Sequence, residues 1–258
     1  MIEIRDIVKS FDGMSVLDHV SATLYDGKVN MIIGQSGSGK TVLLKHLIGL
    51  HRPDSGEILY DGRSLTAMDE KQMRSLRREM GMLFQGSALF DSMTVMENVR
   101  FPMEVFSHKS EEEMDARARF CLSHVNLPES VYHLMPSEIS GGQQKRVAIA
   151  RAIVLEPKYL FCDEPNSGLD PRTSLVIDQL IRDLTQELGI CTVVNSHDMN
   201  SIMEIGDNIL FLKNGKKEWQ GSRTEIFDTG NEALDDFVFA SNLYKEVKRV
   251  HGHTNIEK

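Results

Sequence analysis

The apolar and polar positions of the 258-residue chain follow two periods. Over the first quarter they alternate as in strands: IEIRDIVKSF (2–11), SVLDHVSATL (15–24) and KVNMII (28–33), with Asp-Gly pairs at 12–13 and 26–27 between them. Asp-Gly between alternating apolar runs predicts hairpins, because both residues tolerate a left-handed turn backbone. A Pro-Asp-Ser-Gly turn at 53–56 leads to another short hairpin, EILYDGRSL (57–65). From about Glu70 the period lengthens, which predicts helices over 70–80, 94–106, 110–126 and 171–188, and one from about Gly141 to Pro157. Ser110 and the three glutamates after it suit an N-cap and the positive end of a helix dipole. Short apolar strands, YLFCD (159–163) and CTVVNS (191–196), alternate with these helices and imply a mainly parallel sheet. A hairpin turning at Asn214-Gly215 closes the pattern. From about Asn231 a polar helical stretch places Phe237, Val238, Phe239, Leu243, Tyr244, Val247 and Val250 on one stripe.

Charge and composition narrow the function classes. Lys plus Arg number 29 against 38 Asp plus Glu, a net charge of −9. That balance is the wrong footprint for binding a nucleic-acid backbone, so no nucleic-acid partner is expected. Apolar residues at 41% and charged residues at 26% are ordinary globular usage and exclude a disordered or fibrous chain. No apolar run approaches the roughly 18–20 residues that span a bilayer. The opening MIEIRDIVKSF lacks the apolar core and cleavage site of a signal peptide, so a cytosolic chain is expected. Cys121, Cys162 and Cys191 form no CxxC or Cys/His cluster and read as buried thiols.

Three motifs carry chemistry. Gly34-Gln35-Ser36-Gly37-Ser38-Gly39-Lys40-Thr41 satisfies G-x-x-x-x-G-K-[ST] between an apolar strand and a helix. Its glycines let backbone N–H groups turn inward as an anion nest at a helix N-terminus. Lys40 adds a point charge for β- and γ-phosphates, and the Thr41 hydroxyl suits Mg²⁺. Next, Tyr159-Leu160-Phe161-Cys162-Asp163-Glu164 ends an apolar strand in two acids, at the sheet edge where parallel folds bind ligands. Alone, such a pair is a solvated turn. With the loop at 34–41, Asp163 suits the Mg²⁺ shell and Glu164 the polarisation of a water. Third, Ile139-Ser140-Gly141-Gly142-Gln143 opens a helix and offers a second cradle of backbone donors.

With that third motif the chain resembles the ATP-binding-cassette (ABC) ATPases, from about residue 2 to 230. The resemblance implies an α/β P-loop NTPase with a RecA-like, mainly parallel sheet. It adds an N-terminal antiparallel β subdomain, an inserted α-helical subdomain at about 86–156, and a C-terminal helical extension over 231–258. It implies ATP hydrolysis with Mg²⁺ by a head-to-tail homodimer. In that dimer residues 34–42, Val42 included, grip ATP, and Ser140, Gly141, Gly142 and Gln143 of the second copy close over it. Gln85 in Leu-Phe-Gln matches a glutamine that touches Mg²⁺ or water, joining Thr41 and Asp163 as metal residues. Asp170 in Ser-Gly-Leu-Asp matches the loop at the dimer seam, His197 a histidine that contacts the γ-phosphate, and Phe11 an aromatic that stacks on adenine. Departures are small: Asn166 stands where Thr is commonest, Cys162 occupies the fourth strand position, and Phe11 replaces Tyr. None removes a charge or a metal ligand.

The run from Phe84 to Pro102 resembles ATPases of Mla-type, Mce-domain phospholipid transporters, as does His-Asp-Met-Asn-Ser-Ile at 197–202. That resemblance implies permease subunits, an Mce-domain partner, and a peripheral place on the cytoplasmic face of the inner membrane. Met82, Met93 and Met96 would wall the groove for a permease helix. The basic run at 71–78 reads as a solvated helix face. The tail is expected to bind a neighbouring ATPase or an accessory regulator, so that its deletion spares monomer folding. The second expectation for cargo is a polar solute, an amino acid or an ion. A soluble ABC protein outside transport is the third.

Overall fold

The computed structural model describes residues 1–240 together with 245, 246 and 248. Among them the chain order opens with β1 (Ile2–Phe11), β2 (Met14–Leu24), β3 (Val29–Ile33), α1 (Lys40–Leu47), β4 (Ser55–Tyr60) and β5 (Arg63–Ser64). Then come α2 (Glu70–Arg78), β6 (Met80–Leu83), α3 (Val95–Phe106), α4 (Glu111–His124), α5 (Gly141–Ile153) and β7 (Tyr159–Asp163). The last are α6 (Pro171–Leu188), β8 (Cys191–Asn195), α7 (Met199–Ile205), β9 (Asn208–Lys213), β10 (Lys216–Gly221) and α8 (Glu232–Val238). They belong to two compact units, one of residues 1–25, 29–66 and 196 onward, the other of 26–28 and 67–195.

The first unit holds an antiparallel sheet in the order β2-β1-β4-β5. Ile2, Ile4 and Ile7 point into its core, and Ile2 faces Leu24 across the pair. The hairpin turns at Asp12-Gly13, Asp61-Gly62 and Asn214-Gly215 all have two successive positive φ angles, 50 and 79°, 48 and 77°, and 50 and 78°. That is the backbone of a primed two-residue turn, and it explains why those pairs punctuate the sequence. At 26–27 only Gly27 is positive, at 63°. No hairpin forms there. The buried Asn30 side chain accepts from the Tyr25 N–H and donates to the Tyr25 carbonyl, and β3 pairs parallel with β9 instead of with β2. Hydrogen bonds of that kind are invisible to a turn dipeptide. β10 runs antiparallel beside β9.

In the second unit β6, β7 and β8 form a parallel ladder, Met82 opposite Phe161 and Phe161 opposite Val193. α3, α4 and α5 pack on one another. Their N-termini carry capping boxes, Thr94 with Glu97, Ser110 with Glu113 and Ser140 with Gln143. Three boundaries depart from the sequence pattern. α2 ends at Arg78, because the Glu79 carbonyl is taken by the N–H groups of Lys158 and Tyr159 at 2.8 and 3.0 Å. The four residues of β6 follow. Their Gly81 weakens the strand signal, yet a Cβ there would lie 2.3 Å from the Ala152 carbonyl oxygen. α5 stops at Ile153 and not at Pro157. The Arg117 guanidinium caps it by donating to the carbonyls of Ile153 and Val154, both at 3.1 Å, and Glu156 before the proline is left-handed at φ 56°.

The first part of the tail, α8, packs within its own unit. Leu234 and Val238 are buried, and the Phe237 ring stacks on Phe211 of β9 at 5.4 Å. The start of the tail is therefore part of the first unit's own core. Leu243, Tyr244, Val247 and Val250 of the expected stripe lie outside the described residues. Leu234→Ala is expected to lower the unfolding free energy by about 2–4 kcal/mol, read from urea denaturation.

Candidate functional site

The glycine-rich loop is built in the first unit. Gly34, Gly37 and Gly39 have φ of 150, 80 and 102°. At Gly34 a Cβ would lie 2.2 Å from the Leu212 carbonyl oxygen, and at Gly39 2.9 Å from that of Val16. The loop is braced from behind, where the Gly215 N–H donates to the Ser38 carbonyl at 3.1 Å. Lys40 is 7% exposed, and its Nζ folds back to donate to the carbonyls of Gly34 and Gln35 at 2.9 and 3.0 Å. A buried ammonium held at the mouth of a loop is a fixed positive charge aimed at an anion. α1 starts without any side-chain cap, unlike α2, α3, α4 and α5. Ser38 Oγ is buried with no hydrogen-bond partner. An uncapped helix start, a buried hydroxyl and a tethered lysine together fit a phosphate.

Phe11 ends β1 with 37% of its surface exposed. His51 meets it edge-on at 5.6 Å, and Lys9 Nζ lies 5.2 Å from its centroid. Lys9 is fixed by Asp54 at 2.6 Å. The ring is thus backed and half open, a suitable face for a base. His197 is exposed in the short connection between β8 and α7, where the Ser196 N–H donates to the Ile32 carbonyl at 3.2 Å.

The second unit holds the acids. Asp163 ends β7 half-buried, and its Oδ1 accepts from Asn195 Nδ2 at 2.6 Å. Asn195, fully buried at the end of β8, orients that carboxylate and was not among the expected site residues. The signal available was a polar residue closing a buried apolar strand. Glu164 follows in a left-handed backbone, φ 47°, fixed by its N–H bond to the Asn195 carbonyl at 2.9 Å. A left-handed backbone at a non-glycine is costly and persists only where neighbours over-determine it. Gln85 donates from Nε2 to Ser167 Oγ at 3.1 Å. Ser140 Oγ accepts from the Gln143 N–H, and Gln143 Oε1 from the Ser140 N–H. With Gly141, Gly142 and Asp170 they border an open hollow of about 510 Å³. Asp170 caps α6 and accepts from the Thr173 hydroxyl, which holds its carboxyl below the usual carboxylate range. Asn166, the departure from the family pattern, donates to Asp178 at 2.8 Å. Cys162 is fully buried, and burial pushes its thiol up to about 12. Among the described residues no three His, Cys, Asp or Glu side chains cluster to hold a metal. The hydroxyl of Thr41 and the carboxylate of Asp163 are each oxygen donors of the type that Mg²⁺ accepts beside substrate phosphates.

A separate apolar groove of about 440 Å³ is lined by Met80, Met82, Phe84, Phe90, Phe101 and Phe106, among others. Of the three methionines expected to wall it, Met82 does so. Met96 is only 6% exposed, and Met93 is not among the lining residues. The loop that forms the groove is pinned by fully buried Asn98, whose side chain accepts from the Phe90 N–H and donates to the carbonyls of Phe90, Met93 and Thr94. Asn98→Ala leaves those groups without their partner. We expect a loss of about 2–3 kcal/mol in urea unfolding.

The family model described as ABC transporter matches residues 17–167. The chain belongs to the ABC transporter family. Curated relatives agree. The methionine import ATP-binding protein MetN of Carboxydothermus hydrogenoformans is 40% identical over 230 residues, 88% of this chain and 68% of that protein. MetN of Clostridioides difficile is 39% identical over 92% of this chain and 74% of its own length. Among solved structures, cbiO1 from Clostridium perfringens, part of the ABC transporter complex cbiONQ, superposes with a TM-score of 0.82 at 29% identity, covering 96% of this chain and 97% of that one. The dimeric cassette MJ0796 gives 0.79 at 33% identity over 86% and 99%, and its post-hydrolysis dimer bound to ADP and Pi gives 0.78. The α/β P-loop architecture expected from sequence therefore holds, and the chain is an ABC ATPase that uses ATP and Mg²⁺. The finer expectation of an Mla-type cassette has no counterpart in these relatives. Their names, methionine importers, match the amino-acid alternative.

Proposed function

We propose that this ABC ATPase powers a membrane transporter as a head-to-tail dimer, bound peripherally to permease subunits at the cytoplasmic face of the inner membrane. Among the described residues no helix is long and apolar enough to cross a membrane itself. In this reading Lys40 and the amides of residues 34–42 bind the ATP phosphates, and Phe11 stacks on adenine. Thr41, Gln85 and Asp163 hold Mg²⁺, which when bound neutralises charge developing on the phosphates. Glu164 takes the proton of the attacking water, His197 donates to the γ-phosphate, and Ser140 to Gln143 with Asp170 meet the nucleotide of the second copy.

Two cargoes have specific support. The names of the relatives support import of methionine or a similar amino acid, and they do so over about nine-tenths of the chain; an importer of that kind would work with a solute-binding partner. The run from Phe84 to Pro102 supports phospholipid movement with an Mce-domain partner. That run supplies Phe84, Phe90, Phe101 and Pro102 to the apolar groove. An apolar groove of this kind suits a partner helix, such as one presented by a permease. On that ground the lipid reading is put to the test beside the importer. The chain, tagged and extracted from its native membrane in mild detergent, is expected to bring down a permease with an Mce-domain protein. A permease with a solute-binding protein establishes the importer, and recovery of no permease overturns both.

A further inference from the structure

One buried charge in the second unit has no place in the machinery described so far. Lys145 lies in α5, the helix opened by Ser140, and is only 4% exposed. A lysine so enclosed needs an acceptor, and its Nζ donates to the main-chain carbonyl of Gln85. It also lies within electrostatic reach of Asp163. On its other side Gln85 is tied by its side chain to Ser167, three residues beyond Glu164. Gln85 is thus gripped twice, from α5 through its backbone and from the segment after β7 through its amide.

We propose that Lys145 is a positioning residue for hydrolysis, anchoring the backbone of Gln85 so that its side chain is presented with Asp163 and Glu164. The proposal rests on the role given to Gln85 above. A lysine that only stabilised the fold would leave each folded enzyme at its normal turnover. A positioning lysine changes kcat while leaving the gripping of ATP by residues 34–42 alone, since a displacement of about 1 Å costs up to a hundredfold in rate.

The test uses the full chain, with steady-state ATP hydrolysis measured for Lys145→Met, Lys145→Arg, Ser167→Ala, Gln85→Ala and the Gln85→Ala/Lys145→Met pair. Lys145→Met is expected to lower kcat about tenfold or more with KM for ATP within about twofold, and Lys145→Arg to recover part of the loss. Ser167→Ala, at an exposed position, is expected to lower kcat in the same manner by releasing the other grip. In the Gln85→Ala background Lys145→Met is expected to add nothing, because it acts through Gln85. A Lys145→Met loss of equal size in both backgrounds overturns the proposal, as does unaltered kcat in Lys145→Met beside a slowed Gln85→Ala. If Lys145→Met does not fold, unaltered kcat in Ser167→Ala overturns it. Gln85→Ala at the unaltered rate overturns the reading of Gln85 itself, and the proposal with it.

Discussion

Glu164→Gln is expected to bind ATP normally, to stop turning it over, and to accumulate as a dimer. The substitution keeps the size of the side chain but replaces an anionic, acceptor-only carboxylate with a neutral amide, which removes the ability to accept a proton. Loss of a general base costs roughly 10²–10⁴-fold in rate. The backbone that carries the side chain is unaffected, since its N–H bond to the Asn195 carbonyl and its φ of 47° involve no side-chain atom. Phosphate release should fall by at least about a hundredfold while a labelled ATP still binds. With hydrolysis blocked, the nucleotide that joins the copies persists, and gel filtration in ATP should show the dimer that the unaltered chain holds only transiently. Near-normal phosphate release by this variant would assign the base to another group.

Gly34→Ala carries the second large effect, and it separates space from backbone strain. The new Cβ would meet the Leu212 carbonyl at 2.2 Å and Ser38 Oγ at 2.6 Å. Leu212 sits in β9, which is paired parallel with β3, so its carbonyl has no room to yield. Gly37 offers the comparison: it also has positive φ, at 80°, but nothing lies within 4 Å of its Cβ. Gly37→Ala is expected to cost about 1 kcal/mol, the strain of a left-handed alanine alone. Gly34→Ala should cost about 3 kcal/mol or more in urea unfolding, and should also lose ATP binding because the loop cannot close around a phosphate. Equal costs for the two would show that the loop relaxes freely away from β9.

The site was legible where chemistry dictates residue type over a short stretch of chain. A phosphate nest needs glycines and a lysine within eight positions, and an acid pair at a strand end is one dipeptide. Those patterns marked the loop at 34–41, the strand ending at Asp163 with Glu164 after it, and the helix opened by Ser140 as the candidate site, and the family match supports the fold they imply. What escaped depends on residues far apart in sequence. Asn195 orients Asp163 from 32 positions away, and Lys145 reaches Gln85 across 60. The second Asp-Gly pair read as a hairpin because its dipeptide was right, while the side chain of Asn30 and the pairing of β3 with β9 direct the chain elsewhere. β6 was hidden by its glycine. α7 was hidden by its length, seven residues capped by Asp198. The tail showed an apolar stripe but not its destination, which for Phe237 is Phe211 of the same chain. Cargo was the least legible, because in the proposed assembly the permease meets the cargo and this chain does not.

Half of each nucleotide pocket is proposed to come from a second copy, and dilution probes that directly. Turnover per chain should fall as the purified protein is diluted below the concentration at which copies pair, and should return when an excess of Lys40→Ala chain lends its intact Ser140–Gln143 segment. A rate per chain that stays constant down to the lowest measurable concentration contradicts a shared pocket and leaves each copy sufficient by itself.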